Sequence, residues 1–169
     1  MRFLFLSISI LLVTNLSFAK TEQGHSASYY NELGIKYGEG GDFDNAIENF
    51  HKAIQINPKY TSAYTNLGII YSKMGEYDTA IENLNKALEL NPYLQDAYIN
   101  LGAIYEKRGE YDRAVEYAQK ALLLNRDNEI ATYNLGYAYL MQGNKGLALK
   151  QYEKLKEMKQ GELADKLQN

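Results

Sequence analysis

Apolar and polar positions follow a helical period through most of the chain. In one stretch Tyr64, Leu67, Gly68 and Tyr71 fall at i, i+3, i+4 and i+7, a single stripe down one side of a helix. Gly75 interrupts it. A second stripe follows, made of Ala80, Ile81, Leu84, Ala87 and Leu88, and Asn91-Pro92 closes it because proline cannot donate the next helical hydrogen bond. Asp78 stands at the entrance of this second helix, where a carboxylate can accept from free backbone N–H groups, and Asp44 and Asp112 repeat the placement. The stretch predicts two helices joined by a tight turn.

Shifting the chain by 34 residues brings like onto like. Leu33-Gly34 returns as Leu67-Gly68, Leu101-Gly102 and Leu135-Gly136. Tyr37, Tyr71, Tyr105 and Tyr139 follow at one fixed interval, Gly41, Gly75, Gly109 and Gly143 at the next, and then Ala46, Ala80, Ala114 and Ala148. Neither helix of a unit can bury its stripe alone, so successive units must stack into one continuous core. Small residues at Gly68, Ala80 and Ala87 let neighbouring helices approach closely, with Tyr71 filling the space between.

These recurring residues resemble the tetratricopeptide repeat family, whose pattern runs aromatic, Leu-Gly, Tyr, Gly, Ala, aromatic, Ala, Pro. The resemblance covers Ala27 to about Gln160. It departs at Thr132, where an aromatic is expected, at Arg126 and Gln160, where Pro is expected, and at Leu155, which replaces a small residue. The implied fold is all-α, a right-handed α-solenoid of helix-turn-helix repeats over residues 27–60, 61–94, 95–128 and 129–162. A short C-terminal capping helix at 163–169, carrying Leu163, Ala164 and Leu167, is expected to follow a break at Gly161.

The chain ahead of the repeats has a different pattern. Arg2 precedes a mostly apolar run from Phe3 to Val13, and Ser17-Phe18-Ala19 places small residues two apart. This is the layout of a secretory signal peptide over residues 1–19, with cleavage leaving Lys20 first and a short flexible segment, 20–26, before the repeats. The run falls short of the roughly 20 apolar residues that a membrane span needs. Export is the expectation: periplasmic in a Gram-negative host, otherwise secreted. Membrane contact arises only if the leader stays uncleaved as an anchor.

Composition narrows the chemistry. Cys is absent and His occurs twice, at His25 and His51, which removes thiol chemistry, Cys-based metal sites and most His-based catalysis. A formal charge of −3 speaks against nucleic acid. No triad, metal cluster or phosphate loop is recognisable, and Gly38-Glu39-Gly40-Gly41 lacks the Lys-Ser/Thr that a phosphate loop requires. The chain is therefore read as a non-enzyme without a cofactor. Glu48–Lys52, Glu82–Lys86 and Glu116–Lys120 are i,i+4 pairs that support the second helices.

In the family that the repeats resemble, the first helix of each unit lines a concave groove. Here that implies a peptide-binding surface made by Asn31, Ile35, Asn66, Ile69, Ile99, Asn100, Tyr133, Asn134, Tyr137 and Met141. Ile35, Ile69, Ile99, Tyr133 and Tyr137 would anchor apolar side chains. Asn66, Asn100 and Asn134, spaced at 34 residues, would hydrogen-bond an extended backbone or else support the fold. The carboxylate grip of the family's chaperone-binding members is not expected, since the corresponding positions read Asn31, Ile35, Asn66, Asp96 and Asn100 and only Asn66 fits. The expected partner is a protein or peptide held in the groove. The alternative is a structural or self-associating subunit of a cell-envelope assembly.

Overall fold

The computed structural model describes residues 24–158 and 161–168; the leader predicted at 1–19 lies outside them. Four helix pairs run in tandem: α1 (Ala27–Glu39) with α2 (Phe43–Ile56), α3 (Thr61–Met74) with α4 (Tyr77–Leu90), α5 (Gln95–Lys107) with α6 (Tyr111–Leu124), and α7 (Glu129–Met141) with α8 (Lys145–Glu157). A ninth helix, α9 (Gly161–Gln168), closes the described stack, starting on Gly161 rather than after it. No described helix is long and apolar enough to cross a membrane.

The turn inside each pair is set by one glycine. Gly41, Gly75, Gly109 and Gly143 have φ between 75° and 83°, a left-handed conformation that a β-carbon disfavours. The turn between pairs is set by asparagine. Asn57, Asn91 and Asn125 are extended C-cap residues, and each side-chain oxygen accepts from the N–H two residues on, at 3.0–3.1 Å. That local bond ends α6 at Leu124 although Arg126 replaces proline there.

Helix entrances differ from the sequence expectation. Asp44, Asp78 and Asp112 are not the caps, because each lies inside the first turn of its helix. The N-cap residues are Asp42, whose Oδ1 accepts from Asn45 N–H at 3.3 Å, and Glu76 and Glu110, which make no side-chain cap bond. From the first turn, Asp78 and Asp112 still oppose the positive helix end. They also tie consecutive repeats together: Arg108 donates to Asp78 Oδ1 and Gln142 to Asp112 Oδ1, both at 2.6 Å. Glu48–Lys52 and Glu116–Lys120 pair as expected at 2.7 Å, whereas Lys86 reaches forward to Glu89 at 2.8 Å instead of back to Glu82.

Packing is densest within each helix pair, and the buried clusters run on across the joints between repeats. Phe50 of α2 and Leu67 and Ile70 of α3 are buried in one cluster; Leu84 of α4 and Leu101, Ile104 and Tyr105 of α5 are buried in the next. Each odd-numbered helix from α1 to α7 touches the next odd-numbered one, while the even-numbered helices make no such row of contacts among the described residues. The odd-numbered helices therefore form the close-set inner wall of a curved stack, and the even-numbered helices its splayed outer wall.

Candidate functional site

The inner wall carries all ten residues expected to line the groove, and the structure divides them. At the amino-terminal half, Ile35 of α1 and Asn66 and Ile69 of α3 come together around a cavity of about 180 Å³. Gly38, Phe50 and Ile70 complete its apolar lining, and Glu39 and Lys73 bring one charge of each sign. Gly38 lets α1 and α3 pack closely at the cavity's edge. A β-carbon there would lie 2.7 Å from Ile70 Cδ1. Ile35 is 37% exposed, so the apolar lining is open to solvent.

The asparagines are engaged within the fold. Asn66 donates to Asn31 Oδ1 at 2.9 Å, which ties α3 to α1, and Asn31 is itself buried. Asn100 donates to the Asp96 carbonyl of its own helix at 2.8 Å, and Asn134 is buried. A ladder with the 34-residue repeat would need each amide to face the groove in the same way. Instead the observed link joins Asn31 to Asn66, one residue off that period, and of these amides it is that pair which ties two inner-wall helices together.

At the other end, Tyr133 and Tyr137 of α7 lie side by side with ring centroids 6.3 Å apart. They are half-buried and pack with Leu163 against a cluster of Leu155, Ala164 and Leu167. The capping helix α9 thus leans on the two rings that the sequence offered as partner anchors. Ile99 lies half-buried between the two halves, and Met141, 45% exposed, remains open.

Sequence reasoning passed over Glu106. It occupies the repeat position held by Gly38, Ser72 and Leu140 in the other units, so a charge among small and apolar residues was the available signal. Burial raises its carboxyl above the usual range, and Lys107 opposes the shift. The Tyr133 phenol is raised by burial and then by Glu106 and Tyr137. Because folded Glu106 holds its proton more tightly than the unfolded chain does, its ionisation weighs on stability above the raised pKa and costs nothing where both states are protonated. Glu106→Gln is expected to raise the melting temperature at neutral pH. The gain should fade as pH falls through the raised pKa and vanish below the ordinary glutamate value of about 4.3. Melts of both proteins across that range check it; an equal gain at every pH would assign the effect to something other than the charge.

A larger hollow of about 410 Å³ opens on the turn edge and is lined by Glu110, Asp112, Arg113 and Gln142. Asp112 is bonded to Gln142, and Glu110 pairs with Arg108 at 2.7 Å, so these groups serve the repeat joints. Among the described residues no group of three or more His, Asp or Glu could hold a metal.

Tandem helix pairs and a core that runs on from one pair to the next define an α-solenoid of helix-turn-helix repeats. Tetratricopeptide repeat models match residues 61–94 and 96–128, a second such model matches 34–75, and a third matches 131–158. A crystal structure of MamA is similar at a TM-score of 0.76 and 28% identity, over 86% of this chain and 85% of that one. A second MamA structure gives a TM-score of 0.71 and 30% identity, over 79% of this chain and 73% of that one. An uncharacterized protein of Methanocaldococcus jannaschii is 46% identical over 37 residues, which is 22% of this chain and 43% of that protein's length. The chain belongs to the tetratricopeptide repeat family. Its repeats and its MamA neighbours support a protein–protein interaction module.

Proposed function

We propose that the chain is an exported receptor for a protein partner, and that the cavity between α1 and α3 takes an aliphatic side chain of that partner. The observation that carries this reading is the cavity itself: a lining of Ile35, Ile69 and Phe50 on the inner wall, with Glu39 and Lys73 beside it. An apolar pocket with a few charged groups beside it anchors one side chain and orients the backbone on either side. Ile99 and Met141 continue the apolar track toward α7, while Tyr133 and Tyr137 contribute only the edges that α9 leaves open.

Peptides selected on the wild-type chain from a random display library are the probe. Ile35→Asp combined with Ile69→Asp is expected to weaken them by about tenfold or more, since desolvated apolar anchors carry most of an interface's energy. Helical content should persist, because Ile35 is exposed and Ile69 only half-buried. Peptides that bind the double variant as tightly as the wild type would remove the pocket from the site.

Export rests on the leader pattern of residues 1–19. The protein recovered from the envelope or medium of its host is expected to begin at Lys20. Mass spectrometry that finds Met1 intact on the mature protein would overturn cleavage after Ala19 and leave the leader as a retained anchor.

A further inference from the structure

The first two internal joints of the stack are closed by the same pieces. Near the start of an even-numbered helix stand an aromatic, an alanine and a β-branched residue, as in Tyr77, Ala80 and Ile81 of α4. Over α2 and α4 the next odd-numbered helix lays an isoleucine and a tyrosine; over α6 the isoleucine's place is taken by Ala138, packed with Ala114 and Val115. Over α4 the isoleucine and tyrosine are Ile104 and Tyr105, which are 0% and 5% exposed and share one cluster with Tyr77, Ala80 and Ile81. Over α2 the same places are taken by Ile70 and Tyr71, packed with Phe43, Ala46 and Ile47.

At α8 the corresponding strip is Lys145, Ala148 and Leu149. The helix laid on it, α9, has 8 residues, against 13 in α5 and 14 in α3. Its Ala164 and Leu167 pack on Leu155; nearer the start of α8, Lys145 and Leu149 stay exposed among the described residues, while Ala148 between them is buried. A cavity of about 330 Å³ remains there, bounded by the strip together with Leu140, Tyr152 and Leu167. Leu149 is 54% exposed, whereas its counterparts Ile47, Ile81 and Val115 are half-buried under a following helix.

We propose that this open half of the end face seats an amphipathic helix from another protein, one that lays an aliphatic–aromatic pair over Ala148 and Leu149 and presents a carboxylate to Lys145. The internal joints show which side chains fill such a seat. Charge gives the rest: an exposed lysine replaces the aromatic of Phe43, Tyr77 and Tyr111, and α8 carries four lysines against two glutamates in a chain whose formal charge is −3. A second copy is a poorer occupant. The helix it could offer is α1, which holds Tyr29 where α3, α5 and α7 bury Ala63, Ala97 and Ala131. It also holds an exposed Lys36 where they bury Ile70, Ile104 and Ala138, and Lys36 would bring a second cation toward Lys145.

The probe is a labelled synthetic peptide of residues 95–107, the α5 sequence that carries Ile104, Tyr105 and Glu106. Its titration against the full chain by fluorescence anisotropy is expected to show saturable binding that weakens with salt. Leu149→Arg in the protein and Ile104→Lys in the peptide should each weaken it by about tenfold or more, and Lys145→Glu should weaken it less. The Ile35→Asp, Ile69→Asp chain should bind this peptide normally, which separates the seat from the inner groove. Circular dichroism of Leu149→Arg checks that the fold is kept. Three results would overturn the proposal: no saturation by about 1 mM peptide, equal affinity for Leu149→Arg, or a concentration-dependent dimer that Leu149→Arg abolishes. The last would give the seat to a second copy.

Discussion

Gly68→Leu is expected to unfold the chain or leave it without a cooperative melt. Even a bare β-carbon at Gly68 would stand 2.5 Å from Leu84 Cγ and 3.2 Å from the Ala80 carbonyl oxygen. Leu84 has nowhere to go, because it is fully buried in the cluster that Leu101 and Ile104 close from the next repeat. Overpacking a tight core by a methylene or two costs roughly 1–3 kcal/mol, and a leucine adds four carbons against a backbone that cannot retreat. The comparison that isolates the cause is Gly102, which sits in the same Leu-Gly pair one repeat on. A β-carbon there would meet nothing closer than 3.6 Å, since Ala118 stands where Leu84 stands in the repeat before. Gly102→Ala is expected to be neutral or to stabilise by up to about 1 kcal/mol through helix propensity, while Gly68→Ala destabilises. Urea titrations of the two alanine variants check the signs, and matching signs would refute the assigned packing.

That contrast shows how far the sequence could be read. The period, the paired helices and the positive-φ turns at Gly41, Gly75, Gly109 and Gly143 were legible because each turn makes the same steric demand and glycine answers it each time. Phe50, Leu84 and Ala118 occupy one repeat position, so the space at Gly34, Gly68 and Gly102 could have been ranked from sequence. Helix starts were less legible. Asp44, Asp78 and Asp112 have the chemistry of caps, but they stand two residues past the N-cap, inside the first turn, and two of them bond to the following repeat instead. The candidate site was half legible. Ile35, Asn66 and Ile69 meet because repeat geometry forces it, whereas Glu106 drew no notice because it repeats nothing.

Coverage by the tail lies beyond periodicity altogether. A β-carbon on Gly136 would meet Leu167 Cδ1 at 2.6 Å, a contact made by a helix outside the four repeated pairs. Tyr133 and Tyr137 looked available because the sequence does not say where α9 lands.

Replacing both rings, Tyr133→Ala with Tyr137→Ala, is therefore expected to destabilise the carboxy-terminal end of the stack. Full burial of an aromatic is worth about 3–5 kcal/mol on truncation; for two half-buried rings we expect roughly 2–4 kcal/mol together. The loss should be local. In a repeat stack each unit leans only on its neighbours, so α9 and then α8 should open while α1 to α4 stay folded. Hydrogen exchange should show Ala164 and Leu167 losing protection together with Leu155, and the thermal melt should broaden as the end unzips ahead of the rest. Leu167→Ala supplies the control from the other side of the contact. It removes the α9 side chain nearest Gly136, so it should expose the same amides without touching the inner wall. If the double tyrosine variant melts like the wild type and keeps α9 protected, the rings do not support the cap, and their place is in the groove as anchors for the partner.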